Sequence, residues 1–256
     1  MGILKKLVAV LLFGWGMHAP AEEAVREDTL RHGAVEVRLE PFPPLVNEDG
    51  TGLAIDLLAL VAQRSGLEFN IEIMPYSRAL FQLRNGEADL IGPVPLGMET
   101  AGFYEYAREL AWELPTQSDI YVLDPELLPA ERLPSLDIGV PLGNAEFFSE
   151  LLELPVEQFT ESSLVNLVQM LATGRIDALL FERASTTETL REQGISGVHY
   201  RRVFSIPAGF AVRADEPGQA LGQRLDAVFR EVDGEAVLEA YQPYLDMPDQ
   251  GRVDEP

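Results

Sequence analysis

The architecture of the chain is clearest between Phe69 and Ile91, where the sequence reads FNIEIMPYSRALFQLRNGEADLI. The first residues alternate apolar and polar, as in a strand with one buried face. After Pro75 the apolar residues recur at helical spacing, with Ser77 at the N-cap position, and Gly86 is a left-handed helix stop. A short apolar strand closes the stretch. Strand, helix and strand in this order predict a mostly parallel β-sheet covered by helices.

The same alternation continues on both sides of this stretch. We predict further strands over residues 35–39, 120–123, 138–140, 156–159, 177–181 and 210–212, and further helices over 54–65, 143–152, 163–173, 182–193, 219–232 and 236–244. The aromatic segment 103–112 is predicted to be irregular, and the segment 127–136, rich in proline and acid, to be a surface connector. Because the pattern restarts after this connector, the sequence predicts two α/β halves between which the chain crosses twice.

The two halves share a local phrase. Residues 83–90 read LRNGEADL and residues 171–178 read LATGRIDA. In each phrase a helix ends at a glycine, which adopts the left-handed conformation at low cost, and a buried strand begins at an aspartate. We expect each aspartate to cap backbone groups at the entry to its strand. Both phrases are therefore interpreted as structural rather than ligand-binding.

Composition limits the function. The 256 residues include 42 Asp and Glu against 19 Lys and Arg, a formal net charge of −23. A surface of this sign repels nucleic acid and anionic lipid, so neither is expected as a partner. The chain has no cysteine, and after the first 21 residues its only histidines are His32 and His199. Disulfides are excluded, nucleophile–base pairs and histidine metal sites are disfavoured, and we predict neither a cofactor nor a metal site.

Residues 1–21 have the composition of a secretory signal peptide. Lys5 and Lys6 form the positive n-region, residues 7–15 the apolar h-region, and residues 19–21 a small-residue cleavage site. The alternative is an uncleaved membrane anchor, but the apolar run is short for a bilayer. We therefore expect cleavage after this site. With no cysteine for lipid attachment, we expect the mature protein in a Gram-negative periplasm, without membrane insertion.

Four phrases of the sequence resemble the family 3, polar amino-acid type, extracellular solute-binding proteins of ABC importers. They are EPFPP at 40–44, followed by DG at 49–50 and GLAIDLL at 52–58; PYSRAL at 75–80; the two glycine–aspartate phrases at 86–89 and 174–178; and FAVRAD at 210–215. No phrase is specific alone, but in their order and spacing they cover nearly the whole chain after residue 21. PYSRAL resembles a variant that is common in a divergent branch of the family.

The resemblance implies an α/β fold with two lobes, the periplasmic-binding-protein or Venus-flytrap fold of type II, hinged by two strands. Lobe I would hold residues 22–115 and 206–256, and lobe II residues 116–205. The ligand would sit in the crevice between the lobes at the carboxyl ends of strands, as physics favours for open α/β sheets.

The function implied by the resemblance is capture of a small polar ligand, an amino acid or a related metabolite, by a monomer that delivers it to an ABC permease. Closure would be a hinge motion in which the ligand bridges both lobes. Although we predict no catalysis, one open alternative is a periplasmic dehydratase of the same fold that acts on prephenate-like acids, with Glu182 or Glu40 as general acid. Another is a ligand-sensing module for a signalling partner.

Candidate ligand contacts in lobe I lie where the first strand ends and the second helix begins. Glu40 and Phe42 follow the strand, so Glu40 can pair with a cationic group and Phe42 can stack on the ligand. Their alternative roles are a solvated acid and a core residue. Tyr76 and Arg78 lie at a helix N-terminus beside the crevice. There Arg78 can grip a carboxylate or can pair with a surface acid.

Further candidates come from the third strand and from lobe II. Pro93 and Val94 follow the third strand and are expected to form the cleft wall. In lobe II, Asn144 opens a helix and Glu182 follows a strand end. Both correspond by position to ligand contacts in the family, and both have helix capping as an alternative role.

One position departs from the family pattern. Amino-acid-binding members carry an arginine in a TxxR phrase that grips the α-carboxylate of the ligand, and here Ala101 stands at that position. Leu96 stands where a hydrogen-bonding serine or threonine is usual. A buried carboxylate without a charged partner costs several kcal/mol. Either Arg78 substitutes, or the ligand is of another kind, and our hypothesis is a ligand with a more apolar body.

Overall fold

The computed structural model describes residues 34–232 and 235–253. The strands are β1 Val35–Leu39, β2 Phe69–Ile73, β3 Leu90–Pro95, β4 Ala107–Leu114, β5 Gln117–Val122, β6 Ile138–Pro141, β7 Phe159–Ser162, β8 Ala178–Glu182, β9 Val198–Ser205, β10 Ala208–Arg213 and β11 Gln250–Val253. The α-helices are α1 Leu53–Ser65, α2 Tyr76–Arg84, α3 Ala145–Leu152, α4 Leu164–Ala172, α5 Arg183–Glu192, α6 Glu216–Phe229 and α7 Glu235–Leu245. The predicted signal peptide lies outside the described residues.

Five strands form the first sheet, in the order β2-β1-β3-β10-β4. β1 runs parallel to β2 and β3, whereas β10 is antiparallel to β3 and β4. β3 and β10 lie inside the sheet and are almost entirely buried, so their apolar runs do not alternate. Helix α6 packs on β4 and β10 and also on α1, while α2 packs on β3. This sheet and its helices form the first lobe.

Six strands form the second sheet, in the order β11-β9-β5-β8-β6-β7. β6 runs parallel to β7 and β8, and β5 is antiparallel to β8 and β9. Helix α4 packs on β6 and β8, and α5 packs on β5 and β8. The core of this lobe is built from the buried side chains of β5 and β8 at the centre of the sheet.

The chain passes from the first sheet to the second between β4 and β5, and returns between β9 and β10. The two passages are hydrogen-bonded to each other. The amide of Ile206 donates to the carbonyl of Thr116 at 3.2 Å, and the hydroxyl of Thr116 donates to the carbonyl of Ile206 at 2.5 Å. Two adjacent extended segments are the arrangement a hinge requires, because a few backbone angles can absorb a rotation of one lobe against the other.

The final strand is placed where the predicted division does not anticipate it. β11 pairs antiparallel with β9 at the edge of the second sheet. Helix α7, which precedes it, packs against α1 of the first lobe and α5 of the second. Residues 206–256, assigned to lobe I from the sequence, therefore include a strand of the second sheet. The reason is that β9 would otherwise be an exposed edge, and β11 covers it.

The aspartates of the repeated phrase have the predicted structural role. The carboxylate of Asp89 accepts a hydrogen bond from the amide of Glu36 at 2.9 Å, next to the start of β1. In the second lobe, Asp177 accepts from the amide of Asp137 at the same distance, just before β6. Each aspartate thus joins the entries of two neighbouring parallel strands.

Several predicted boundaries are wrong. The segment expected to be irregular contains β4, because pairing with β10 overrides its local sequence. β9 was not predicted, and β7 begins only at Phe159, after a 3₁₀ turn. Ser77 is not the N-cap of α2, which begins at Tyr76 without a side-chain cap. Among the described residues, no helix combines the length and the apolar character needed to cross a membrane.

Candidate ligand-binding cleft

A cavity of about 50 Å³ lies between the two lobes, beside the paired crossover segments. Both lobes contribute to its wall, and the first lobe supplies the ends of β1, β3 and β10. It is lined by Glu40, Phe42, Tyr76, Pro93, Val94, Pro95, Thr116, Ser118, Asn144, Phe147, Phe148, Phe181, Glu182, Ile206, Pro207 and Ala208. Because the lining includes the crossover residues, the size of this cavity depends on the angle of the hinge.

The most direct polar link between the lobes joins Glu40 and Asn144. Glu40 follows β1, where its amide donates to the carbonyl of Gly92 at 2.8 Å and holds its backbone against β3. Asn144 lies at the N-cap position of α3 but makes no capping bond there. Instead its Nδ2 donates to Oε1 of Glu40 at 2.6 Å. The predicted alternative role of Asn144 as a helix cap is therefore not the one it has in this arrangement.

Glu40 is held in an environment that favours its neutral form. Only 4% of the residue is exposed. Burial raises the pKa of Glu40 to about 8, with the hydrogen bond from Asn144 opposing the shift and the charge of Glu99 adding to it. A solvated acid, the alternative considered from the sequence, is thus wrong for this residue.

Glu182 places a second carboxyl on the opposite wall. It ends β8 and caps α5, since its Oε2 accepts from the amide of Ser185 at 2.8 Å. The residue is 2% exposed, and burial raises the pKa of Glu182 to about 7 against the opposing effect of the Ser185 and Ala184 backbone amides. Its other oxygen, Oε1, has no hydrogen-bond partner among the described residues. Capping therefore uses only one of the two oxygens.

Aromatic rings form much of the remaining wall. Phe42 of the first lobe meets Phe181 of the second edge to face, with ring centroids 5.3 Å apart. Phe147 and Phe148, on the first turn of α3, form another edge-to-face pair at 5.1 Å. Tyr76 is buried beside them on α2. The cavity thus combines two carboxyls with several rings, a surface that suits a partly apolar molecule.

A larger outer groove of about 400 Å³ adjoins the cavity and shares Tyr76 and Phe147 with it. The hydroxyl of Tyr76 donates a short hydrogen bond to Glu99, a residue that also lines the groove. Burial raises the pKa of Glu99, while the bond from Tyr76 lowers it. Arg84 lies in this groove over the ring of Tyr106, 5.6 Å from its centroid.

Seven of the eight residues proposed from the sequence line the cavity: Glu40, Phe42, Tyr76, Pro93, Val94, Asn144 and Glu182. Arg78 is the exception. It lies on an exposed part of α2 and is absent from the cavity wall, because the helix begins at Tyr76 and turns the next two side chains outward. Pro93 and Val94 form part of β3 rather than a loop after it.

Sequence reasoning missed the residues supplied by the hinge and by α3. Thr116, Ser118 and the segment 206–208 line the cavity because the crossovers run along its floor. Phe147 and Phe148 could have been found, since they follow a predicted helix start that points at the crevice. The described residues contain no cluster of three or more histidines and carboxylates placed to hold a metal ion.

No family model matches the sequence, and no curated protein matches it. Solved structures do match. A histidine kinase sensor domain with similarity to periplasmic binding proteins has a TM-score of 0.70 and 16% identity over 87% of this chain and 98% of its own. A mutant of ArgBP from T. maritima has a TM-score of 0.68 and 20% identity, over 88% and 100%. The arginine-, lysine-, histidine-binding protein ArtJ from Geobacillus stearothermophilus has a TM-score of 0.67 and 17% identity, over 84% and 96%.

These matches establish the fold: two α/β lobes of the periplasmic-binding-protein class, as predicted from the sequence. Amino-acid-binding proteins are among the similar structures, in agreement with the sequence resemblance, and the low identities fit a divergent relative.

Proposed function

We propose that this chain is a periplasmic solute-binding protein that captures a small molecule between its lobes. In the proposed cycle the lobes open about the paired crossover segments, the ligand enters, and the lobes close on it. A ligand can drive closure only if it binds the closed form more tightly than the open one. The residues expected to provide that difference include the seven cavity residues that were proposed from the sequence.

One observation carries this proposal: the cavity wall is assembled from both lobes and is completed by contacts between them. The Glu40–Asn144 hydrogen bond and the Phe42–Phe181 ring pair each join one lobe to the other. Separation of the lobes would break both contacts and expose the cavity. A site of this kind retains its ligand in the closed form and releases it in the open form.

Delivery to an ABC permease is the first proposed use of the captured ligand. A structural neighbour that supports it is the substrate-binding protein of an amino acid ABC transporter, which has a TM-score of 0.66. The second is sensing, supported by the histidine kinase sensor domain and by the BvgS VFT2 domain of Bordetella pertussis, with TM-scores of 0.70 and 0.64. Permease and ATPase genes beside the coding gene would favour transport, and a kinase gene would favour sensing.

We propose a binding role without catalysis. The two carboxyls of the cavity are the groups that could act as general acid or base, so the dehydratase alternative would depend on them. Incubation with prephenate and detection of product by ultraviolet absorbance tests this alternative directly. Turnover that is lost in Glu182→Gln would replace the proposal by an enzymatic one.

The test of the binding function is a thermal-shift screen against polar metabolites, followed by small-angle X-ray scattering. A bound ligand raises the melting temperature in proportion to the logarithm of its concentration. We expect at least one compound to raise the melting temperature and also to reduce the radius of gyration. Compounds that stabilise the protein without compaction would count against a clamp.

A further inference from the structure

We propose that the ligand of this cleft is an organic cation without a carboxylate, such as an amine or guanidine on an apolar body, held by Glu40 and Glu182. This inference rests on the proposed function and specifies its ligand class. It follows from the two carboxyls, the absence of basic side chains among the described residues of the cavity wall, and the aromatic rings there.

The carboxyls of the cavity wall have no basic side chain to balance them. Among the described residues that line it, Glu40 and Glu182 are the ionisable acids, and none is arginine or lysine. A ligand carboxylate would be buried there without a cationic partner, beside two acids, at a cost of several kcal/mol. A ligand cation would instead gain charge-assisted hydrogen bonds. The wall therefore selects against free amino acids and in favour of amines.

Glu182 has an acceptor available for such a ligand. Its Oε2 is used by the amide of Ser185, but Oε1 is buried on the cavity wall with no hydrogen-bond partner among the described residues. The hydroxyls of Ser185 and Tyr241 also lie near Glu182 and lower its pKa by hydrogen bonding, so this carboxyl has protein donors close by. A ligand ammonium or guanidinium would add a charge-assisted hydrogen bond, which is stronger than one from a neutral hydroxyl.

The rings complete a site for a cation. Phe42 and Phe181 form an edge-to-face pair on the cavity wall, and Phe147, Phe148 and Tyr76 line the same space. The face of an aromatic ring attracts a cation electrostatically, most strongly where water is excluded. The same rings accept an apolar body. Only the attraction to the ring face depends on the sign of the ligand's charge, and it favours a cation.

Arg183 and Arg84 lie beside the site but do not line the cavity. Arg183 follows Glu182 directly, but its guanidinium binds both oxygens of Asp119, at 2.6 and 2.9 Å, and the carbonyl of Met247 at 2.9 Å. Arg84 lies in the outer groove rather than on the cavity wall. It shares that groove with Glu99, Glu105 and Glu146, so the approach to the cavity is also predominantly acidic.

A cation also explains how closure is coupled to binding. Closing the lobes brings Glu40 and Glu182 out of water, which opposes closure when they are ionised. A bound cation neutralises that charge and so binds the closed form more tightly than the open one. The differential affinity required for ligand-driven closure comes from the same two carboxyls.

The test uses three probes with one phenyl body and different charge: phenethylamine, phenylalanine and 3-phenylpropionate. Agmatine and arginine form a second pair that differs in the carboxylate. Binding is measured by calorimetry on the protein without its signal peptide. We expect each amine to bind at least tenfold more tightly than its amino acid, and the acid not to bind. Equal or tighter binding of phenylalanine, arginine or 3-phenylpropionate, or failure of both amines to bind, overturns the inference.

Substitutions of the two cavity carboxyls test whether they bind the amine. Glu40→Gln and Glu182→Gln should each weaken amine binding about 10- to 100-fold, the range expected for loss of a charge-assisted contact. Glu87→Gln and Glu157→Gln remove the same charge from exposed positions, one in each lobe, and should leave affinity unchanged. If the control variants weaken amine binding as much as Glu40→Gln and Glu182→Gln do, the net charge of the protein and not the cavity is responsible for the affinity, and the inference fails. An anionic or zwitterionic compound that closes the lobes would refute the cation but leave the proposed clamp intact.

Discussion

Gly143 and Ser77 meet across the cleft so closely that no side chain fits between them. A Cβ atom on Gly143 would lie 2.5 Å from the backbone nitrogen of Ser77 and 2.7 Å from its hydroxyl oxygen. Gly143 directly precedes the N-cap residue of α3 in the second lobe, and Ser77 lies in the first turn of α2 in the first. This glycine therefore permits the approach that also brings Asn144 to Glu40.

We expect Gly143→Ala to hold the lobes apart. The added methyl group cannot be accommodated at 2.5 Å from backbone, so the closed form becomes strained while each lobe stays folded. The prediction is a larger radius of gyration in the presence of ligand, and affinity reduced at least tenfold. Small-angle X-ray scattering and calorimetry measure the two effects.

The control for this variant separates contact from backbone strain. Gly143 has a φ of 91°, which disfavours alanine by itself. Gly50 has a φ of 84°, and a Cβ added there meets no atom within 4 Å. Gly50→Ala should therefore lose some stability but close normally on ligand. If both variants behave alike, the contact with Ser77 does not govern closure.

Asn144→Asp should make closure depend on pH. The substitution keeps the shape of the side chain but replaces the donor to Glu40 by a carboxylate, so two acids face each other at hydrogen-bonding distance. Such a pair cannot ionise fully when buried, and one pKa rises strongly. We expect the ligand-free variant to be more open than the wild type at pH 8 and to close at pH 5, as measured by scattering. Equal compaction of the variant at both pH values would show that the contact between positions 40 and 144 is not formed in solution.

Much of the fold could be predicted from the sequence, because local signals agreed with tertiary structure there. Gly86 and Gly174 end helices in the left-handed conformation, and the aspartates that follow cap strand entries, as expected. β4 and β11 could not be predicted in the same way. Their positions depend on pairing with β10 and β9, which lie far away in the sequence. Such pairing is set by tertiary context and not by local propensity.

The candidate site was predicted where a residue follows a strand in a parallel arrangement. Glu40 and Glu182 are examples, since strand order alone brings them to the cleft. Arg78 shows the limit of this reasoning. The predicted N-cap was Ser77, whereas the N-cap in the structure is Pro75, two residues earlier. Since successive side chains differ by about 100° around a helix, this difference changes which residues of the first turn face the cavity. Helix starts cannot be fixed from sequence to that precision.

The ligand-free protein should lose stability as pH rises through the neutral range. An unfolded glutamate has a pKa of 4.5, whereas that of Glu40 in the closed form is about 8 and that of Glu182 about 7. The folded state therefore holds protons that the unfolded state has released. By linkage, the contribution of these two carboxyls to the free energy of unfolding is fully present below about pH 4.5. It declines as the pH rises, until the folded-state pKa of each carboxyl is passed. Thermal melts from pH 5 to pH 9 measure the decline.

Glu40→Gln isolates the contribution of one carboxyl. Glutamine cannot ionise, so its melting temperature should depend less on pH between 5 and 8 than that of the wild type. Glu87→Gln removes one of the exposed acids and should keep the wild-type slope. Ionised Glu99 contributes to the raised pKa of Glu40, so Glu99→Gln should reduce the slope slightly. If Glu40→Gln leaves the dependence of melting temperature on pH unchanged, Glu40 is exposed to water in the ligand-free protein, and the lobes are open.

The Asp119–Arg183 pair should be essential to the stability of the second lobe. Both side chains are fully buried, and the guanidinium bonds to both carboxylate oxygens, to the carbonyl of Met247 and, in cation–π contact at 5.2 Å, to the ring of Tyr200. Removal of one partner leaves the other charge buried without compensation, which typically costs about 3–5 kcal/mol. We expect Asp119→Ala to lower the free energy of unfolding by this amount in urea titrations.

The exposed Arg191–Glu188 pair of α5 provides the comparison for this variant. It has a similar N–O distance, 2.8 Å, but both side chains contact solvent. Surface pairs of this kind contribute less than about 1 kcal/mol, so Arg191→Ala should be nearly neutral. Arg183 also joins the segment after α7 to the second lobe, through its hydrogen bond to the carbonyl of Met247. Loss of the Asp119–Arg183 pair should therefore release the segment that leads to β11. Hydrogen exchange should then increase first in β11 and β9. Unchanged exchange there, with a loss of stability below 1 kcal/mol, would show that packing rather than this ion pair fixes the C-terminal strand.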